Sequence, residues 1–145
     1  MMNDDVYFDT SVLAKWYLNE SGTQEVTDFI QSVERAVISS LTITEMRCLL
    51  SRRKRMGDFN DRIEHQLYAT FLNDIDRGYL SVELFSNEYF IFASHLIDSI
   101  PTIPLRTLDA FHLSIIQQQN IPCLATADEV MLKAAKKMNI AVKKF

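Results

Sequence analysis

The sequence predicts an α/β fold built on a mostly parallel sheet, and three observations lead there. Short segments with strand preference alternate along the whole chain with longer segments patterned as amphipathic helices. The first of them, Val6-Tyr7-Phe8, is apolar without alternation, as in a strand buried on both faces. With three Gly and three Pro in 145 residues, there is little room for long loops. A chain of this length is expected to form a single domain, residues 1–145, with a substantial core.

The elements follow in order. After the strand Val6–Phe8, helices are expected over Val12–Leu18 and Thr23–Val33, then a second strand over Ala36–Ser39. A helix opened by Leu41-Thr42-Ile43-Thr44-Glu45-Met46 runs to Met56 and stops at Gly57, a C′ residue. Asp58 or Asn60 caps the next helix, which reaches Asp76 and ends at Gly78. Its apolar positions Ile63, Leu67, Tyr68, Phe71, Leu72 and Ile75 fall on one face. Leu80–Phe85 reads as a third strand and Asn87–Ile97 as an aromatic-rich helix. Pro101 and Pro104 mark a turn, with Pro104 suited to the first position of a helix reaching about Gln119. Pro122–Ala125, Glu129–Met138 and Ile140–Val142 complete the chain as strand, helix and strand.

Composition excludes several classes. Apolar residues make up 48%, too many for a disordered chain. No apolar run approaches the roughly 20 residues that span a bilayer. The start, Met1-Met2-Asn3-Asp4-Asp5, lacks the basic and apolar regions of a signal peptide, so a cytoplasmic protein is expected. Cys48 and Cys123 then read as reduced core thiols. The net charge of −4 conceals local basic surface. Arg47, Arg52, Arg53, Lys54 and Arg55, with Lys133, Lys136, Lys137, Lys143 and Lys144, hold ten of the 15 basic residues. They are candidates to contact phosphates, or else solvated helix faces.

Four carboxylates stand where chemistry is done in such folds. Ligands of open α/β sheets bind outside the carboxyl ends of the strands. Asp9 and Asp128 end two strands there, and Glu45 begins a helix just after a third. Each also has a structural explanation. Asp9 and Asp128 could cap helices, and Thr42-x-x-Glu45 fits a capping box. Asp109 reads differently. It lies a full turn into a helix begun at Pro104, and a helical wheel sets it inside the apolar arc of Leu105, Leu108, Phe111, Leu113, Ile115 and Ile116. A carboxylate facing a core needs a metal or an ion-pair partner, for which Arg106 and Lys15 are candidates. His112 shares the arc and could orient a carboxylate. Four acids around one pocket would repel, so some would take up protons in the absence of a cation. Oxygen-only ligands select Mg²⁺ or Mn²⁺.

Tyr7-Phe8-Asp9-Thr10-Ser11, Thr44-Glu45, Leu105-Arg106-Thr107-Leu108-Asp109-Ala110-Phe111-His112-Leu113 and Ala125-Thr126-Ala127-Asp128 occur in the order and spacing of PIN domains. Over essentially its whole length the chain resembles the VapC-type toxins of prokaryotic toxin–antitoxin pairs. The resemblance implies a three-layer α/β/α fold whose parallel sheet of about five strands runs in order 3-2-1-4-5. It implies a Mg²⁺- or Mn²⁺-dependent endoribonuclease whose acids, both catalytic and metal-binding, fall on Asp9, Glu45, Asp109 and Asp128. The accompanying hydroxyls fall on Thr126 and on Thr10 or Ser11. It further implies an RNA substrate, a small VapB-like antitoxin encoded nearby, and a homodimer. Arg47, Arg52, Arg53 and Arg55 are then the candidates for RNA phosphates. Trp16, Met46, Leu49, Leu50, Phe59, Tyr68 and Phe71 are candidates for an antitoxin groove or a dimer contact, unless all are core.

Other acidic pockets fit less well. A receiver domain needs acids that close the first strand, whereas Asp4 and Asp5 precede it. A phosphatase of the haloacid dehalogenase type needs a second Asp where Ser11 stands. A PIN-fold module that binds nucleic acid without cutting it, or a housekeeping PIN nuclease without an antitoxin, remains as the alternative.

Overall fold

The computed structural model describes residues 4–145, so the leading Met1–Asn3 of the signal-peptide reading lie outside the described residues. The strands are β1 (Asp5–Phe8), β2 (Arg35–Ser39), β3 (Ser81–Glu83), β4 (Cys123–Thr126) and β5 (Ala141–Lys144). The helices are α1 (Thr10–Tyr17), α2 (Thr23–Ile30), α3 (Ser40–Arg55), α4 (Asp61–Asp76), α5 (Glu88–Ser99), α6 (Thr107–Gln118) and α7 (Glu129–Lys137). All strand pairings are parallel and the order is β3-β2-β1-β4-β5.

The strand period divides the core. Val6 and Phe8, with Ala36, Ile38 and Ala125, pack on a cluster that includes Val12, Leu13, Val26, Met46, Leu50 and Phe71 of α1 to α4. Tyr7, Val37 and Leu124 face the other way, against Leu96, Leu113, Ile116, Met131 and Ala134 of α5 to α7. Burying a side chain such as Phe8 completely is worth about 1.5–3 kcal/mol. Among the described residues no helix is long and apolar enough to cross a membrane.

Most boundaries lie within two residues of expectation. Gly57 and Gly78 are the C′ residues, at φ +88° and +81°, where a side chain would strain the backbone. Each is followed by a backbone amide that reaches back over the last turn, Asp58 N–H to the Arg53 carbonyl and Tyr79 N–H to that of Asp74. Asn60, not Asp58, caps α4, its Oδ1 accepting from Ile63 N–H at 3.0 Å. The third strand is shorter than Leu80–Phe85. Leu84 is exposed and Phe85 N–H turns away to Ser40 Oγ, so pairing stops at Glu83.

The sixth helix carries the correction that matters. It begins at Thr107, not Pro104. Leu105 N–H closes a tight turn on the Ile103 carbonyl at 2.8 Å, and Arg106 is extended at φ −89°, ψ 166°. The proline rigidifies an approach to the helix instead of starting it. Leu108, expected in the core, is therefore exposed, while residues 110–116 are all buried.

Candidate active site

The sheet order reverses between β1 and β4, whose chains leave in opposite directions. The carboxyl ends of these strands open on a cavity of about 1140 Å³. Asp9, Glu45, Asp109 and Asp128 all line it, with Thr10, Ser11, Arg52, Arg106 and His112.

Asp9 occupies the N-cap position of α1 but does not cap it. Its Oδ2 accepts instead from Thr126 Oγ1 at 2.8 Å and from Ser11 Oγ at 3.1 Å. Thr126 Oγ1 also accepts from Asp128 N–H, and Ser11 Oγ from Ala127 N–H. The two hydroxyls thus lock the end of β1 to the end of β4. Burial raises the pKa of Asp9, against the opposing influence of His112 and of the two hydroxyls.

Glu45 is not part of a capping box. Strand β2 runs directly into α3, and Ser39 N–H donates to Thr42 Oγ1 at 3.2 Å, so this hydroxyl closes the helix start with the N-cap three residues earlier than a Thr42–Glu45 box would place it. Glu45 lies more than a turn inside. Its Oε1 faces Thr10 Oγ1 at 2.9 Å and His112 Nε2 at 2.5 Å. Burial alone would push the Glu45 pKa up. The hydrogen bond and charge of His112, with the Thr10 hydroxyl, more than offset this and hold it below the ordinary value.

Asp109 overturns its expectation. It stands in the first turn of α6, where Oδ2 accepts from Arg106 N–H at 3.0 Å. It is a capping acid, not a core carboxylate. Nor is it half of a buried ion pair: Arg106 approaches to 3.9 Å but its side chain is 81% exposed, and Lys15 bonds the Ser21 carbonyl. Asp128 caps α7 as expected, its Oδ1 accepting from Val130 and Met131 N–H at 2.8 and 3.0 Å.

One pattern unites the four. Every hydrogen bond that the described residues make to the side-chain carboxylates of these acids falls on one oxygen of each: Oδ2 of Asp9, Oε1 of Glu45, Oδ2 of Asp109 and Oδ1 of Asp128. The second oxygen of each is left over. Among the described residues no three His, Cys, Asp or Glu side chains converge to enclose a metal ion. The oxygen-only set still fits Mg²⁺ or Mn²⁺, because Mg²⁺ keeps several waters and takes one or two carboxylates along with substrate phosphate.

The basic candidates separate. Arg52 lines the cavity. Arg47 is paired with the buried Glu64 and lies over the Tyr68 ring at 4.9 Å. Arg53 is paired with Glu20 and Asp58. Arg55 donates to Ser51 Oγ. Lys133 and Lys136 are exposed on α7, away from the cavity lining. Of the residues expected in a groove, Met46, Leu50 and Phe71 are core. Cys48, expected in the core, is an exposed free thiol on the cavity wall. The sequence reading missed Arg106 as a cavity cation, and Tyr7, whose hydroxyl lies 2.5 Å from His112 Nδ1. A signal for Tyr7 was present, since a tyrosine in a strand buried on both faces has to find a partner for its hydroxyl.

The PIN domain family model matches residues 6–137. The chain belongs to the PIN domain family. No curated protein sequence matches it. Solved structures share the fold. The VapC20 toxin of Mycobacterium tuberculosis, described as cleaving the sarcin–ricin loop, aligns with TM-score 0.71 and 17% identity over 89% of this chain and 94% of its own. FitAcB of Neisseria gonorrhoeae aligns with TM-score 0.74 and 17% identity over 94% and 95%. VapBC2 of Rickettsia felis, solved on a DNA fragment from its promoter, aligns with TM-score 0.68 and 15% identity over 97% and 98%.

Proposed function

We propose that this PIN domain is a divalent-metal-dependent endoribonuclease of the VapC toxin type, held inactive by a VapB-like antitoxin. The observation that carries this reading is the ring of four carboxylates on one cavity, each fixed by one oxygen and each with the other unengaged. Asp9, Glu45, Asp109 and Asp128 are the acids that would hold Mg²⁺ or Mn²⁺ by those oxygens, one or two of them directly and the others through its waters. A cation bound there would supply charge neutralisation at the scissile phosphate and a water acidified enough to attack.

The chain's own residues do the rest. Thr126 and Ser11 keep Asp9 fixed, and Thr10 and His112 keep Glu45 fixed, so no carboxylate has to be reordered when substrate arrives. Arg52 and Arg106 on the cavity wall offer positive charge to the phosphates of a single strand or loop. Water oxygen bonds to phosphorus, the bond from phosphorus to the 3′ oxygen breaks, and that oxygen leaves with a proton. The products carry a 5′-phosphate and a 3′-hydroxyl.

The toxin reading is supported by relatives solved as VapBC and FitAB assemblies. Exposed Leu84, Phe90 and Ile91 offer apolar surface of the kind that a second copy or an antitoxin covers. The deciding experiment incubates the purified chain with structured RNA in Mn²⁺ and in EDTA. Cleavage in Mn²⁺, none in EDTA, and recovery on re-addition are expected. Cleavage that survives EDTA or leaves a cyclic phosphate refutes the mechanism, and binding without cleavage in Mn²⁺ favours a non-catalytic module.

A further inference from the structure

We propose that Tyr7, in the interior of the central strand, is a positioning residue for Glu45 and acts through the imidazole of His112. The inference rests on the reading of Glu45 as part of a nuclease site. A row of side chains joins five elements. Tyr7 OH donates to Ser39 Oγ at the end of β2, at 2.9 Å. The same oxygen lies 2.5 Å from Nδ1 of His112 on α6. His112 Nε2 lies 2.5 Å from Oε1 of Glu45 on α3, and Thr10 Oγ1 at the start of α1 donates to that Oε1 at 2.9 Å.

Tyr7, Ser39 and His112 are 0%, 0% and 2% exposed. Water is excluded from the inner half of the row, and each polar atom depends on its neighbour there. The Tyr7 hydroxyl is not required by packing. Phe in place of Tyr7 would keep the buried ring and lose only the hydroxyl with its contacts to Ser39 and His112.

What the hydroxyl does is choose the orientation of a ring. A half-turn of an imidazole about Cβ–Cγ exchanges Nδ1 with Cδ2 and Nε2 with Cε1. The flipped ring would set carbon against both Tyr7 and Glu45. Tyr7, anchored by Ser39, therefore favours the one orientation that aims Nε2 at Oε1. With Oε1 held from two sides, the other carboxylate oxygen is the one left for the cavity. The orientation of an acid at the rim is thus fixed from inside the sheet.

The test uses the full chain with ¹³C-labelled glutamate and ¹⁵N-labelled histidine, metal-free, as parent and as Tyr7→Phe. Glu45→Gln assigns the Glu45 carboxyl resonance by its loss. Tyr7→Phe is expected to move that resonance and both ring nitrogens of His112. It should also weaken Mn²⁺ binding by about tenfold in calorimetry, and lower kcat on RNA by about the same factor with KM unchanged. If Tyr7→Phe does not fold, Ser39→Ala withdraws the anchor while keeping the ring, and the same measurements apply. A Glu45 resonance that stays in place overturns the proposal, as does unaltered Mn²⁺ affinity with unaltered kcat. If the parent takes no Mn²⁺ and cuts no RNA, it is the nuclease reading that falls, and the Glu45 resonance alone decides the part played by Tyr7.

Discussion

Two halves of one acidic rim are built in opposite ways. Asp109 and Asp128 are held by backbone amides within three residues of themselves, at the starts of their own helices. Glu45 is held by side chains 35 and 67 residues away, and Asp9 by one 117 residues away and one two residues away. The first pair would keep its geometry wherever its helices formed. The second pair exists only when β1, α1, α3, α6 and β4 have assembled. Helix capping and chemistry are therefore not alternatives for a carboxylate. A cap consumes one oxygen and leaves the other free.

The largest effects should come from the assembled pair, and they should differ in sign. Asp9→Asn and Glu45→Gln are each expected to lower kcat on RNA by roughly 10²–10³-fold. Their metal-free melting temperatures should part. Burial sets the folded pKa of Asp9 above its unfolded value. Its contribution to stability is complete below about pH 3.9 and is lost as pH rises towards the folded pKa. Asp9→Asn removes that loss, so at neutral pH its melt should stay level or rise. For Glu45 burial opposes, but His112 prevails and the folded pKa is lowered. Its contribution is present above about pH 4.3 and is lost as pH falls through the folded value. Glu45→Gln leaves the buried His112 with a poorer partner, and a loss of about 1–3 kcal/mol is expected. Melts from acid to neutral pH check this. A shift of both variants in one direction would mean that the two acids share one environment.

The same division explains what could be read from sequence. Sheet order and layers agree with the resemblance, and alternation alone gave the parallel class. Asp128 as a cap and Gly57 and Gly78 as helix ends were legible because each depends on a few neighbouring residues. The motifs set Thr126 beside Asp128 and left Thr10 or Ser11 beside Asp9; that Thr126 bonds Asp9 across 117 residues, and that Thr10 turns to Glu45, was not written locally. The start of α6 was not. Proline permits a first helical position without requiring one, and the tight turn at Ile103 shifted the helix by three residues. That turned Asp109 from an expected core carboxylate into a cap. For Glu45 the sequence pattern pointed to a capping box that Ser39 and Thr42 in fact occupy. Its real partner, His112, is far along the chain, and although a buried strand tyrosine has to find a partner for its hydroxyl, no local pattern tells that the partner is this imidazole.

A smaller effect separates cap from chemistry at the other half of the rim. Asn caps a helix as well as Asp, whereas Ala does not. Asp128→Asn should therefore melt with the parent and lose activity, while Asp128→Ala should lose activity and about 1 kcal/mol besides. Asp109→Asn can still accept from Arg106 N–H, so its metal-free melt should also match the parent. Mn²⁺ should raise the melting temperature of the parent more than that of either Asn variant. Full activity in Asp128→Asn would reduce that acid to its cap. A loss of roughly 3–5 kcal/mol in Asp109→Asn would restore the buried ion pair that the exposed Arg106 argues against.

The smallest expected effect applies the same comparison to the cations. Arg53 is spent on Glu20 and Asp58, whereas Arg52, next to it on α3, lines the cavity. If RNA phosphates pass along the cavity, Arg52 alone of the two meets them. Arg52→Ala should then weaken RNA binding and flatten its dependence on salt by about 0.7 in the log–log slope, the share of one phosphate on a single strand. Arg53→Ala should leave the slope unchanged and cost stability instead, by no more than about 1 kcal/mol for partly exposed pairs. RNA affinity measured across a salt series, beside a melt of each variant, tests both halves. A flattened slope in Arg53→Ala with an unchanged one in Arg52→Ala would move the RNA off the cavity and onto the outer side of α3. The carboxylate ring and the substrate path would then no longer coincide.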